Sequence, residues 1–208
     1  MQPTALFADE IAEGVRRRDP EAITAVYRAL SGRLLGFLLA RVGDRQVAED
    51  LLEATFVELI ERGDSIRGGG NVLKAWLFRA AHFNALDHLR RGARMREDLV
   101  EDDEPFDLPD HAPGPEEHAL HDALSSQLRA AVDQLSPSQQ EVILLRYVGG
   151  LSGAEVADVI GKSHTAVRGL QHRGERTLAK IIEAQEDAAT WQGTATSQQH
   201  GHDPQPLT

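Results

Sequence analysis

The side chains best equipped to read another molecule lie between Lys162 and Lys180. Thr165, Arg168, Gln171 and His172 mix hydrogen-bond donors and acceptors near the start of a helical segment. Such side chains, projected from a helix start, reach base edges in a DNA major groove. His164 opens the segment, and Arg173 is placed to meet a phosphate. The stretch carries five Lys or Arg against one acid, Glu175. A second constellation lies upstream. Asn84, His88 and Arg91 share one helical stripe by three- and four-residue spacing. With Arg90, Arg94 and Arg96 they form a basic, amide-bearing surface. A surface of this kind can follow a phosphate backbone and touch unstacked bases. Asp87 is spaced to pair with Arg91 on the same helix.

Bond-making chemistry finds less support. There is no cysteine, which excludes disulfides, thiolate metal sites and a cysteine nucleophile. Among nine histidines, His118 and His121 lie three apart beside Glu117 and Asp122. No third ligand follows at a recognisable spacing and no HExxH occurs, so no metal is expected. Gly161-Lys162-Ser163 has the form of a phosphate-loop end, but Val156 stands where the first glycine is needed. Gly68-Gly69-Gly70 lacks that context too. The expectation is a protein that is not an enzyme and takes no cofactor.

The elements that must position these side chains read as all-α. Strand signals are nearly absent and helical periodicity dominates. A first helix is predicted over 6–18. Asp19-Pro20 caps a second that runs to about Val42. Gly43-Asp44 ends it and caps a third over 45–62. Asn71 is placed to cap a fourth, from Val72 to about Arg91. In the C-terminal half, Ser136-Pro137-Ser138-Gln139 and Ser152-Gly153-Ala154-Glu155 both have capping-box spacing. A short helix over 154–160, a turn at Gly161 and a helix over 164–182 then form a helix-turn-helix. Trp76 is read as core.

Charge divides the chain. The 208 residues carry a net charge of −11, which alone argues against a nucleic-acid binder. The average hides segregation. Residues 97–117 hold Glu97, Asp98, Glu101, Asp102, Asp103, Glu104, Asp107, Asp110, Glu116 and Glu117 without one Lys or Arg. Four prolines punctuate them. Such a segment cannot bury a core and reads as an acidic linker. The predicted organisation is an N-terminal domain (1–96), a linker (97–119), a helix-turn-helix domain (120–185) and a disordered tail (186–208). No apolar run approaches the roughly 20 residues of a membrane span, and the first residues lack signal-peptide character. With no cysteine, this suits a cytoplasmic protein.

Three blocks, in order, resemble extracytoplasmic-function (ECF) sigma factors of bacterial RNA polymerase. VAEDLLEATFVELIER (47–62) resembles the helix that docks on the β′ clamp helices. KAWLFRAAHFNALDHLRR (74–91) is similar to the helix that recognises and melts the minus-ten element. LSPSQQEVILLRYVGGLSGAEVADVIGKSHTAVRGLQHRGERTL (135–178) resembles the helix-turn-helix that reads the minus-thirty-five element. The acidic segment lies where the family has its connector. The sequence departs from the family pattern at Lys162, Thr165 and Gly169-Leu170, which bears on promoter sequence.

The resemblance implies that Asp50, Leu51, Glu53, Phe56 and Glu58 bind polymerase. It implies that Arg67, Asn71 and Lys74, with Asn84, His88, Arg90 and Arg91, handle the minus-ten strand, and that Ser163 joins the upstream readers. Implied partners are the polymerase core, through β′ clamp helices and β flap, promoter DNA and an anti-sigma factor. The chain is expected to be a monomer when free, without membrane insertion. A conventional helix-turn-helix regulator with a helical sensor domain is the alternative; it leaves the 47–62 and 74–91 blocks unexplained.

Overall fold

A computed structural model describes the backbone of residues 9–99 and 126–198, and the side chains of 9–95 and 128–184. The described residues are helical throughout, with no strand among them. The elements are α1 (Asp9–Arg16), α2 (Pro20–Val42), α3 (Arg45–Arg62), α4 (Gly70–Leu99), α5 (Ser126–Asp133), α6 (Pro137–Ile143), α7 (Gly153–Ile160) and α8 (His164–Gln198). A 3-10 turn, Gly63–Ser65, follows α3, and a π-turn, Leu144–Val148, continues α6.

Local chemistry sets most boundaries. The Asp19 carboxylate accepts from the Glu21 N–H at 3.0 Å, with Pro20 at the first helical position. Asp44 accepts from the Val47 N–H at 2.9 Å. Ser152 and Glu155 close a reciprocal box, at 2.6 Å from the Ser152 N–H and 3.2 Å to the Ser152 hydroxyl. Each such cap is worth about 1 kcal/mol. Gly161 ends α7 at φ +65°, a left-handed conformation that lets the chain turn sharply into α8.

Three boundaries differ from expectation. Asn71 does not cap α4. The helix begins at Gly70, whose N–H donates to the Asp9 carboxylate of α1 at 3.3 Å. α4 also continues to Leu99 and α8 to Gln198, past the expected ends. No proline interrupts either extension, and Ala93, Ala184, Ala188 and Ala189 favour helix. The tail expected to be disordered from 186 is thus helical for its first twelve or so residues. Most of the acidic linker, together with His118 and His121, lies outside the described residues.

In the N-terminal half, α2 supplies Val26, Leu30, Leu34, Phe37 and Leu38, all buried, between α3 and α4. Phe37 meets Phe78 of α4 edge-on at 5.8 Å between ring centroids. α2 is long and apolar enough to cross a membrane by length and composition, which corrects the expectation that no segment approaches one. Its apolar residues are packed on α3 and α4, and Arg28, Arg33 and Arg41 punctuate it. The C-terminal half packs Val142, Leu144, Leu145, Leu151, Val156, Val159 and Val167. The apolar core runs on without a break from one half to the other.

Candidate nucleic-acid and protein interfaces

The recognition segment begins where Ser163 accepts from the Ala166 N–H at 3.2 Å. Ser163 is therefore the cap of α8, although its sequence position had suggested a reader. His164, Thr165, Arg168, His172 and Arg173 are all exposed on one side of the helix. Val167 and Gly174 face inward, and a Cβ at Gly174 would fall 2.9 Å from Ile143. That close approach of α8 to α6 fixes which side of α8 remains free.

Gln171 is placed differently from its expected role. It follows Val167 by four and precedes Gly174 by three, so it lies on the inward edge of the helix. Its side-chain carbonyl accepts from Arg146 at 3.2 Å, and its amide donates to Glu175 at 2.8 Å. The Tyr147 hydroxyl donates to the same carboxylate at 2.5 Å, and Arg146 also donates to the Leu151 carbonyl. The hydrogen bond from Tyr147, then that from Gln171, holds Glu175 below the usual carboxylate range. The same bond raises the Tyr147 phenol. This network ties α8 to the π-turn rather than presenting Gln171 outward.

The minus-ten candidates divide. Arg67 is exposed in the loop that leads into α4 and Asn71 in the first turn of that helix, and Arg90 and Arg91 are exposed toward its other end. His88 is half-buried. Asp87 lies 3.9 Å from Arg90, while the Arg91 side chain donates to the Asp87 carbonyl at 3.3 Å. Asn84 is turned inward and donates to the Thr55 hydroxyl at 3.2 Å, which in turn donates to the Leu51 carbonyl at 2.7 Å. Asn84 thus fastens α4 to α3. Lys74 is buried, and its ammonium donates to the Gly150 carbonyl at 2.9 Å. Burial lowers its pKa from the ordinary lysine value. These two residues are committed within the fold, while Arg67, Asn71, Arg90 and Arg91 are open.

The polymerase candidates on α3 divide in the same way. Asp50 and Glu53 are exposed, whereas Glu58 is half-buried and paired with Arg62 at 2.7 Å. Leu51 and Phe56 belong to the core, with Phe56 packed on Tyr27 at 4.9 Å between centroids. The exposed apolar side chains of this face are Val57 and Ile60, about half exposed. Sequence reasoning missed them. The signal was available, because Asp50, Glu53, Val57 and Ile60 follow spacings of three, four and three. The result is a helix face that is acidic at Asp50 and Glu53 and apolar at Val57 and Ile60, as suits docking on another protein.

No group of three or more His, Cys, Asp or Glu able to hold a metal occurs among the described residues. A concavity lined by Asp9, Glu10, Glu13, Arg16 and Arg17 is open to solvent.

Comparison with known proteins accounts for both halves. The Sigma-70 region 2 family matches residues 26–95, and the Sigma-70, region 4 family matches residues 125–178. The chain is 33% identical to the ECF RNA polymerase sigma factor BldN of Streptomyces coelicolor over 173 residues. That match covers 83% of this chain and 65% of the relative's length. It is 30% identical to the RNA polymerase sigma factor CarQ of Myxococcus xanthus over 162 residues, covering 78% of this chain and 90% of the relative. In fold it is similar to the sigma factor RpoE of Bartonella quintana, solved with the anti-sigma factor NepR. That likeness has a TM-score of 0.57 at 22% identity, over 72% of this chain and 89% of that one. Both helical blocks and the relatives agree, and the chain belongs to the extracytoplasmic-function family of RNA polymerase sigma factors.

Proposed function

We propose that this protein binds RNA polymerase core and directs it to promoters, with the chain supplying address and strand handling and the polymerase supplying catalysis. The observation that carries this reading is the pairing of two open surfaces of different chemistry. One is the part-acidic, part-apolar face of α3 (Asp50, Glu53, Val57, Ile60), which suits a protein partner. The other is the exposed polar and basic side of α8 (His164, Thr165, Arg168, His172, Arg173), which suits a major groove. Arg67 and Asn71 at the start of α4, and Arg90 and Arg91 roughly 28 Å along it, add two further exposed patches that would meet the minus-ten strand. His88 lies beside the second, half-buried.

The α3 face docks on the β′ clamp helices, α8 reads the upstream element, and the α6–α7 half meets the β flap. An anti-sigma factor is the expected regulator, by analogy with the Bartonella protein solved with NepR. Work on polymerase and chromosomal DNA makes the site of action cytoplasmic.

A conventional regulator would bind its DNA alone. The test is promoter binding by the purified chain with and without core enzyme. Sequence-specific retention that requires core supports the proposal; equal specific binding without core contradicts it.

A further inference from the structure

We propose that α1 is the positioning element for minus-ten recognition: Arg16, with Asp9 and Arg18, sets the shape of the 63–70 loop and, through it, the base preference exercised by Arg67 and Asn71. This rests on the sigma reading above.

The loop has little means of holding a shape by itself. Gly68, Gly69 and Gly70 follow one another between Arg67 and Asn71. Glycine carries the greatest backbone freedom, so such a run costs the most to fix. Ile66 is buried and anchors one end, but Arg67 and Gly68 are exposed. A side chain that reads a base must be held within about 0.5 Å of its productive position. That order has to come from outside the loop.

α1 supplies it through backbone atoms. Arg16 donates to the Gly68 carbonyl at 2.7 Å and to the Ile66 carbonyl at 3.4 Å. Those two residues flank Arg67, so one guanidinium pins the backbone across it. The guanidinium is itself fixed, because the Glu13 carboxylate accepts from its Nε at 2.9 Å and from its Nη2 at 2.6 Å. At the far end of the loop, the Asp9 carboxylate accepts from the Gly70 N–H at 3.3 Å. It is seated so closely that a Cβ on Gly69 would fall 1.9 Å from it. Gly68, at φ +133°, has no room for a Cβ beside Val72. Arg18 donates to the Glu61 carbonyl at 3.2 Å and pairs with Asp64 at 3.1 Å. The Asp64 carbonyl in turn accepts from the Arg67 side chain. The Arg18 ion pair is exposed and weighs less than the braced bonds of Arg16.

Stability alone does not call for these groups. Ala12 and Val15 already bury α1 in the core. Asp9, Arg16 and Arg18 direct their polar atoms instead at a loop whose outer residues, Arg67 and Gly68 among them, face solvent.

The test uses the complete chain carrying Arg16→Ala, Arg16→Lys or Asp9→Ala. Each is assayed with core polymerase on two promoter libraries, one randomised at the minus-ten element and one at the minus-thirty-five. Arg16→Ala is expected to relax preference at one or more minus-ten positions by about fivefold or more. Core affinity and upstream preference are expected to stay as in the parent. Arg16→Lys, which keeps a cationic donor, is expected to recover most of the preference. Should Arg16→Ala fail to fold, Asp9→Ala carries the same expectation. A merely structural role would lower the unfolding midpoint and total transcript while leaving relative base preference unchanged, and that pattern overturns the proposal. Equal loosening at both elements overturns it too. Hydrogen exchange in the free chain needs no polymerase. The Ile66 amide, bonded to the Gly63 carbonyl at 3.2 Å, is expected to exchange faster in Arg16→Ala, and the Gly70 amide faster in Asp9→Ala, with α2 protected as in the parent. Unchanged loop exchange contradicts the positioning role. If the parent itself shows no promoter preference with core, it is the sigma reading that fails, while exchange still decides whether α1 shapes the loop.

Discussion

Phe56 and Val57 are adjacent on α3 and about 100° apart around it, and the fold gives them opposite tasks. Phe56 is 7% exposed and Val57 is 52% exposed. Truncation of a buried aromatic costs about 3–5 kcal/mol, so Phe56→Ala is expected to lower stability in urea unfolding, whatever it does to binding. Val57→Glu leaves the core intact. It is expected to weaken association with core polymerase by tenfold or more at unchanged unfolding midpoint, as a titration with labelled core would measure. The resemblance had singled out α3 as the docking helix; which apolar residues stay outside depends on where α2 and α4 press on it. A second residue-scale prediction concerns His82. Burial first, then the Arg41 guanidinium and the more distant Arg79 and Arg90, push its imidazole from 6.5 to about 4. It is therefore neutral at physiological pH, and its contact with Glu141 is not an ion pair. The unfolded chain binds the proton between these values, so His82 contributes stability that is full above about pH 6.5 and falls as pH drops toward 4. The loss is on the order of 3 kcal/mol across that window. Burial raises the Glu141 pKa, which works in the opposite direction as its carboxylate protonates. His82→Gln is expected to flatten the decline in urea midpoint between pH 7 and 5; an unchanged slope contradicts the assignment.

The recognition helix shows what periodicity reveals and what it leaves hidden. Its start, its N-terminal turn at Gly161 and its exposed side were legible, because caps and left-handed glycines are local signals. Gln171 was misread because a polar side chain on the inward edge looks like a reader until its partners are known. Arg146, which holds it directly, and Tyr147, which holds it through Glu175, lie more than twenty residues upstream. The two side chains thus separate in a prediction. Arg168→Ala is expected to relax preference at one upstream promoter position at a cost of about 1–3 kcal/mol. Gln171→Ala is expected to keep that preference and to lower the unfolding midpoint of the chain. Transcription from a randomised upstream element, with thermal unfolding in parallel, reads both. If Gln171→Ala shifts the preferred bases as strongly as Arg168→Ala does, the inward placement is wrong. The π-turn had no visible sequence signature, since Leu144–Val148 reads as ordinary helix. The start of α4 was also hidden, because its cap comes from Asp9, some sixty residues away in sequence.

For the whole molecule, net charge was the least informative number and its distribution the most. A chain of charge −11 presents exposed cations on the first half of α8 and near the ends of α4, although acids such as Asp87 and Glu175 stand on the same helices. The two-block organisation was readable from the order of helical signals. The seam between the blocks was not, because it joins backbone carbonyls of one half to Arg33 and Lys74 of the other. Such pairings leave no periodic trace. The same seam explains why Lys74, basic and expected from the sequence to meet DNA, is buried. The central claim is that this chain gives polymerase a promoter address, and run-off transcription tests it most directly. Purified core is mixed with a pool of genomic fragments, with or without the chain. Discrete transcripts that appear only with the chain, share an upstream sequence and are lost in Arg168→Ala or Val57→Glu are the predicted result. Transcripts identical with and without the chain would contradict the account.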